Sequence, residues 1–289
     1  MRIILSVVLS LMATVSFAQI RPSFGSMYFQ HQYLANPAMA GVDSGLTVYV
    51  AHRQQTGGVD GAPNAQVIAA TYQLNNFRFG VTGGSDKAGV FNTVRAAASV
   101  TYSQPVGNDN QFLHMGISFG GYDRNIRMKN VEGDLDDPTL QQFNSGKPYF
   151  DGDLGLAYTD NRLTVQAAIP GFTTAFKKDR DDLNGQMQLF TAVSYRIAPE
   201  GLPVSEILPK ACYRLLKGSD GVADLGARVN FASYHFGLEA MYHTNSSVTV
   251  GLNLSILPKL SVLCMYSTER PEYRAYTKGN MEFGLKASF

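Results

Sequence analysis

The chain has no tryptophan, two cysteines and few charges among its 289 residues, and it lacks any apolar run long enough to cross a bilayer as a helix. Each shortage excludes something. Charged residues make up 16% against 45% hydrophobic residues, where soluble domains carry roughly 25% charge, so neither a disordered chain nor a coiled coil fits. Lys+Arg number 24 and Asp+Glu 23. Without a basic excess, nucleic acid is not the main partner. Cys212 and Cys264 are too few and too far apart for a disulfide framework or a zinc knuckle, and read as small buried or lipid-facing residues. With tryptophan absent, any interfacial aromatic girdle has to come from the 15 tyrosines and 17 phenylalanines.

The longest apolar stretch, residues 3–15, follows Arg2 and precedes Ser16-Phe17-Ala18. It is short of the roughly 20 residues a spanning helix needs. A positive start, an apolar core and small residues at the two positions a signal peptidase reads make residues 1–18 a signal peptide, cleaved before Gln19. A chain exported this way, with no second apolar stretch, can enter a membrane only through strands.

What the mature chain has is a period of two. Apolar residues alternate with small or polar ones in Val94, Ala96, Ala98, Val100 and Tyr102, in Leu163, Val165, Ala167 and Ile169, in Met187, Leu189, Val193, Tyr195 and Ile197, and in Val248, Val250, Leu252, Leu254 and Ile256. This is strand periodicity. It predicts strands at residues 44–53, 65–74, 76–85, 93–104, 110–122, 150–159, 162–171, 186–197, 204–216, 221–232, 234–242, 247–255, 259–267 and 279–289. Most exceed the usual ~5–6 residues of soluble sheets and match the ~9–11 of tilted transmembrane strands. The fold expected is all-β: a closed transmembrane antiparallel β-barrel of about fourteen strands over residues 44–289, preceded by a periplasmic or lumenal segment over 19–43.

Connection lengths support closure. Those after even-numbered strands are short, and those after odd-numbered strands, at residues 54–64, 86–92, 123–149, 172–185 and 268–278, are generally longer, with 217–220 and 243–246 as exceptions. Outer-membrane barrels show this asymmetry, with short turns in the periplasm and long loops outside. In the last strand Met281, Phe283, Leu285, Ala287 and Phe289 share one face while Glu282 and Lys286 share the other. Charge belongs in the lumen, so the apolar row meets lipid, and Phe283, Leu285 and Phe289 form a carboxy-terminal assembly signal. Inward rows are expected to hold Arg95, Asp151, Asp153, Gln186, Gln188 and Arg228, with His235 and His243 also facing the lumen.

The chemistry is thin. None of the five histidines lies in an H-E-x-x-H pattern, and no G-x-S-x-G elbow or P-loop occurs. The acidic run Glu132, Asp134, Asp136 and Asp137 lacks calcium-loop spacing, and residues 177–182 read as an exposed loop of mixed sign. No catalytic residue, cofactor or metal is expected. The connection at residues 123–149, with Arg124, Arg127, Asp134 and Asp136, is a candidate partner contact, because long irregular connections usually bind something.

A second candidate precedes the first strand. Gln32-Tyr33 is followed by Asn36-Pro37-Ala38-Met39-Ala40-Gly41, then by Arg53-Gln54-Gln55-Thr56-Gly57 and by Gly61-Ala62-Pro63. Pro37 and Gly41 mark turns, and Tyr33 needs a covering surface. This arrangement, with the later stretch from Leu208-Pro209-Lys210 to Asp224-Leu225, resembles the PorP/SprF family of Bacteroidetes outer-membrane proteins associated with type IX secretion and gliding motility. The resemblance implies a non-enzymatic outer-membrane protein working with the type IX translocon, a periplasmic complex, and secreted cargo or an adhesin at the cell surface. Tyr33, Asn36, Pro37 and Gly41 would then be partner contacts on the periplasmic side, and Gly61, Ala62 and Pro63 a family-like motif. The alternative is an outer-membrane porin or small-solute transporter, which needs an open aqueous path.

Overall fold

The structure, a computed structural model, describes residues 25–43, 45–57, 61–107, 110–126, 148–175, 187–216, 221–231 and 235–289. The signal peptide, Arg127, Asp134, Asp136 and the charged stretch at 177–182 lie outside the described residues.

Fourteen strands are described: β1 (Leu46–Thr56), β2 (Asn64–Leu74), β3 (Phe77–Ala88), β4 (Phe91–Pro105), β5 (Phe112–Ile126), β6 (Tyr149–Thr159), β7 (Leu163–Ile169), β8 (Met187–Tyr195), β9 (Glu206–Leu216), β10 (Val222–Phe231), β11 (Phe236–His243), β12 (Ser247–Leu257), β13 (Leu260–Ser267) and β14 (Gly279–Ser288). Each pairs with its sequence neighbours, and β1 pairs antiparallel with β14 from Thr47↔Ser288 to Thr56↔Gly279, which closes the barrel. Closure leaves no edge strand to seek a partner.

Alternation sets the two faces. In β1, Thr47, Tyr49, Ala51 and Arg53 are buried inside, whereas Val50 points out. Ile68, Val81, Val100, Phe119, Leu156, Leu225, Val250 and Leu285 are exposed in the same way and form an apolar outer belt. A soluble protein would hide such a belt; here it is the lipid-facing surface. In β14, Glu282 is 1% exposed and faces the lumen, while Phe283, Leu285 and Phe289 lie on the exposed row.

The longest connections, at residues 127–148, 170–186 and 268–278, all follow odd-numbered strands, while those after even-numbered strands, at 75–76, 106–111, 160–162, 196–205, 232–235 and 258–259, reach ten residues at most, 196–205 being longer than expected, and their end is periplasmic by the barrel rule. In the turn at 160–162 the Asp160 carboxylate accepts from Leu163 N at 2.6 Å and Arg162 N at 2.7 Å. These two amide donors hold its pKa below the ordinary carboxylate value.

Several expectations are corrected. The connection expected at 86–92 shrinks to residues 89–90, because β3 and β4 stay paired to Ala88↔Phe91 and Gly89, at φ +58°, makes the tight turn. Strand β5 runs to Ile126, so Arg124 is a strand residue paired with Thr93, its guanidinium over the Tyr149 ring at 5.4 Å. A register shift between Met187 and Leu189 leaves Gln188 exposed and turns Met187 against a buried cluster with Tyr28 and Phe190. Gln186 is outside the described residues. Strand β8 ends at Tyr195, with Ile197 retaining only an isolated bridge to Ile207. His235 is exposed at the β10–β11 end with φ +53°, not in the lumen.

Candidate functional site

The lumen contains the chain's own amino-terminal segment. Residues 25–43 form three successive 3-10 turns, Met27–Phe29, Gln32–Leu34 and Pro37–Met39. Turns this short leave many backbone groups without internal partners, so the wall has to supply them.

The segment begins under the external rim. Ser26 N donates to both carboxylate oxygens of Glu282 at 2.9 and 3.0 Å, and Ser26 Oγ lies 3.0 Å from Thr249 Oγ1 and 3.3 Å from Ser267 Oγ. Gly25 adopts φ +53°, and a Cβ there would stand 2.1 Å from Glu282 Oε1, so only glycine lets the chain approach that carboxylate. Tyr28 then donates to Asp224 Oδ2 at 2.5 Å. The same carboxylate accepts Arg214 Nε and Nη2, both at 2.8 Å, and His243 Nδ1 at 2.5 Å. Asp224 is 0% exposed. A buried carboxylate is tolerated because a bidentate guanidinium and two further donors satisfy it.

Farther down, Lys210 Nζ donates to Phe29 O at 2.9 Å and stands 4.8 Å above the Phe29 ring. Gln30 donates to Glu239 Oε2 at 2.8 Å, and its oxygen lies within reach of Arg228 and Asn253. His31 stacks on Tyr49 with ring centroids 3.4 Å apart.

The motif residues occupy the periplasmic half. Tyr33 Oη lies 2.9 Å from Ser99 Oγ, over Gly80. Asn36 caps the third turn, its Oδ1 accepting from Ala38 N at 2.9 Å, while Nδ2 faces Leu156 O at 3.2 Å and Gln166 Oε1 and Ala167 O at 3.3 Å. Its two N–H groups thus serve three acceptors on β6 and β7. Thr101 Oγ1 donates to Pro37 O at 2.7 Å. The Pro37–Ala38 peptide lies on Gly116 and Gly155, which are direct cross-strand partners in β5 and β6. A Cβ at Gly116 would come within 2.4 Å of Ala38 N, and one at Gly155 within 2.0 Å of Asn36 Oδ1. Gly41, at φ +59°, sits against Arg78 beside the periplasmic rim, and Asp43 pairs with Lys286 at 2.6 Å.

Water does not reach the middle of this packing. Phe29 is 1% exposed, and Asn36, Ala38 and Ala40 are 0%. One cavity beside the segment, lined in part by His31, Tyr33, Asp43 and Thr71, measures about 100 Å³.

The structure therefore brings Tyr33, Asn36, Pro37 and Gly41 together against the inner wall, with Arg124 apart at the external end of β5. Gly61, Ala62 and Pro63 form the external turn into β2, where Gln55 N donates to Pro63 O and Gly89 N to Gly61 O. Asp151 and Asp153 face inward as expected. Asp153 pairs with Arg95 and accepts Gly171 N at 3.0 Å, and Asp151 accepts Thr173 N at 3.2 Å, so the two carboxylates hold the chain leaving β7. From the sequence, Lys210 and Asp224 stood out only as part of the family-like stretch and without a lumenal role, and Arg214, Gly116 and Gly155 did not stand out. Paired glycines inside strands are a sign of close backbone approach and were the available signal for the last two. Among the described residues no group of three or more His, Cys, Asp or Glu is placed to hold a metal ion.

In comparison with solved structures the chain is similar to the outer-membrane protein Omp33 of Acinetobacter baumannii, with a TM-score of 0.52 and 9% identity over 86% of this chain and 100% of that one. It is also similar to the monoaromatic hydrocarbon channel CymD, with a TM-score of 0.55 and 13% identity over 96% and 99%. The toluene transporter TbuX of Ralstonia pickettii gives 0.52 and 12% over 96% and 100%. At these identities the likeness is one of fold. No curated protein matches the chain in sequence. The sequence model of the family described as type IX secretion system membrane protein PorP/SprF matches residues 16–286. Together with the closed barrel and its apolar belt, this match makes the chain an outer-membrane barrel that belongs to the PorP/SprF family.

Proposed function

We propose that the chain is a closed scaffold of the type IX secretion or gliding apparatus. Its external face holds a secreted or surface-anchored protein, and its periplasmic face meets the translocon and its periplasmic complex. The observation that carries this reading is the packed lumen. A conduit for solutes needs a continuous aqueous path, whereas Asn36, Ala38 and Ala40 are fully buried in the periplasmic half of the lumen. Family membership supplies the secretion context.

The external contacts we assign to the connection after β5, which includes Arg127, Asp134 and Asp136, with Arg124 at its base. Mixed-sign side chains there give electrostatically selective contacts. Tyr33, Asn36, Pro37 and Gly41 act on the periplasmic side through the wall they pack against, by fixing the mouth of the barrel at β3, β5 and β6. Cross-linking in native membranes tests the reading. Photoreactive residues at position 134 should capture a surface protein, and residues at position 161 a periplasmic one. Recovery of neither, with the barrel abundant and folded, would leave the scaffold without partners and overturn the assignment.

A further inference from the structure

The lumenal segment has a direction. Ser26 contacts Ser267, the last residue of β13 at its external end, and Thr249, near the external start of β12. Tyr28 contacts Asp224, again near the external end of its strand. Phe29 meets Lys210 and Gln30 meets Glu239, both near mid-strand. Asn36, Pro37 and Ala38 meet Gly155, Thr101 and Gly116, and Gly41 and Asp43 meet Arg78 and Lys286, in the periplasmic half. Each contact lies lower than the last. The chain descends from the external rim to the periplasmic rim, and only there turns into β1.

We infer that the lumenal segment starts, at Gly25, on the cell-surface side of the lumen, and that the lumen fills only after the leader has been removed. A signal peptide enters from the inner-membrane side. A chain still joined to it would be tethered on the periplasmic side, which is the wrong end for Ser26 to reach Glu282 and Ser267. Cleavage frees that end, either to be enclosed as β1 meets β14 or to enter the finished barrel from below. In both cases the external face includes the start of the lumenal segment as well as the loops, so a surface partner has a further handle on the barrel. This inference concerns topology and does not depend on which partner binds.

The test uses the full-length protein in its native cells. A short hydrophilic epitope inserted between Gln19 and Ile20 should bind antibody on intact cells as strongly as after permeabilisation. Binding only after permeabilisation would overturn the inference. Because an insertion can disturb folding, a second variant carries Ser26→Cys and Ser267→Cys with Cys212 and Cys264 replaced by alanine. Oxidation of the purified barrel should join positions 26 and 267 and slow unfolding on non-reducing gels. A folded barrel in which the two thiols stay separate would overturn the placement of the segment beneath the external rim.

Discussion

Gly116→Val should open the barrel. The perturbation is local: a Cβ at 116 would stand 2.4 Å from Ala38 N, 2.5 Å from Pro37 C and 2.6 Å from Ala38 Cα, all backbone atoms that no rotamer change moves away. The wall cannot yield either, since Gly116 is held in the ladder between Thr101 and Gly155. Valine suits a strand well, so the barrel itself should persist. The turn has to leave instead. It would give up the Asn36 bonds to β6 and β7 and the Thr101 bond to Pro37, roughly three hydrogen bonds at about 1 kcal/mol each. A loss of about 3 kcal/mol moves the docked-to-released balance by about a hundredfold. Two assays read it: single-channel conductance of the purified barrel, and thiol labelling of a cysteine at Met39 in a background without Cys212 and Cys264. The control is Gly121→Val on the same strand, where a Cβ would meet nothing nearer than Phe150 Cε1 at 3.7 Å. We expect conductance steps and fast labelling for the first variant only. A Gly116→Val barrel as quiet and as protected as the parent would refute the packing argument.

Three further outcomes are expected. Asp224→Asn leaves the buried Arg214 without its counter-charge and should cost about 3 kcal/mol, read as a lower unfolding midpoint on unboiled gels, with Tyr28 freed from its partner. Leu285→Lys places a charge on the lipid-facing row of β14 at a cost of about 2–4 kcal/mol near the bilayer midplane, and should reduce the outer-membrane level of the protein; unchanged levels would show that the facing is wrong. The Asp160 carboxylate is held below its ordinary pKa by the Leu163 and Arg162 amides, so its contribution is present above the unfolded pKa and is lost as pH falls through the folded one. Asp160→Asn should therefore lower the unfolding midpoint near neutral pH and match the parent in strong acid.

Much of the barrel was legible because lipid and lumen impose opposite chemistry on alternate residues. The row from Met281 to Phe289 could be faced correctly from Glu282 and Lys286 alone, since charge cannot face hydrocarbon. Places where the period breaks were not legible: the register shift at Met187 and Leu189 moves one side chain across the wall without changing composition. The lumenal segment was readable as a set of turns, because Asn36, Pro37 and Gly41 carry local turn chemistry. Its partners were not, because Asn36 meets residues 120 to 131 positions away and Ser26 meets one 256 away. Pairing over such distances is decided by closure of the barrel and not by local pattern. Asp224 and Arg214 sit in plain alternating strands, and only the arrival of Tyr28 and His243 makes them a cluster.

The central claim is that the lumen is filled and the barrel is not a pore. The most direct measurement compares planar-bilayer conductance of the full mature chain with that of a barrel lacking residues 25–41, both checked for heat-modifiable folding. We predict a silent full chain and steady open steps from the shortened barrel. Steady open steps from the full chain, or a shortened barrel that folds and stays equally silent, would contradict it.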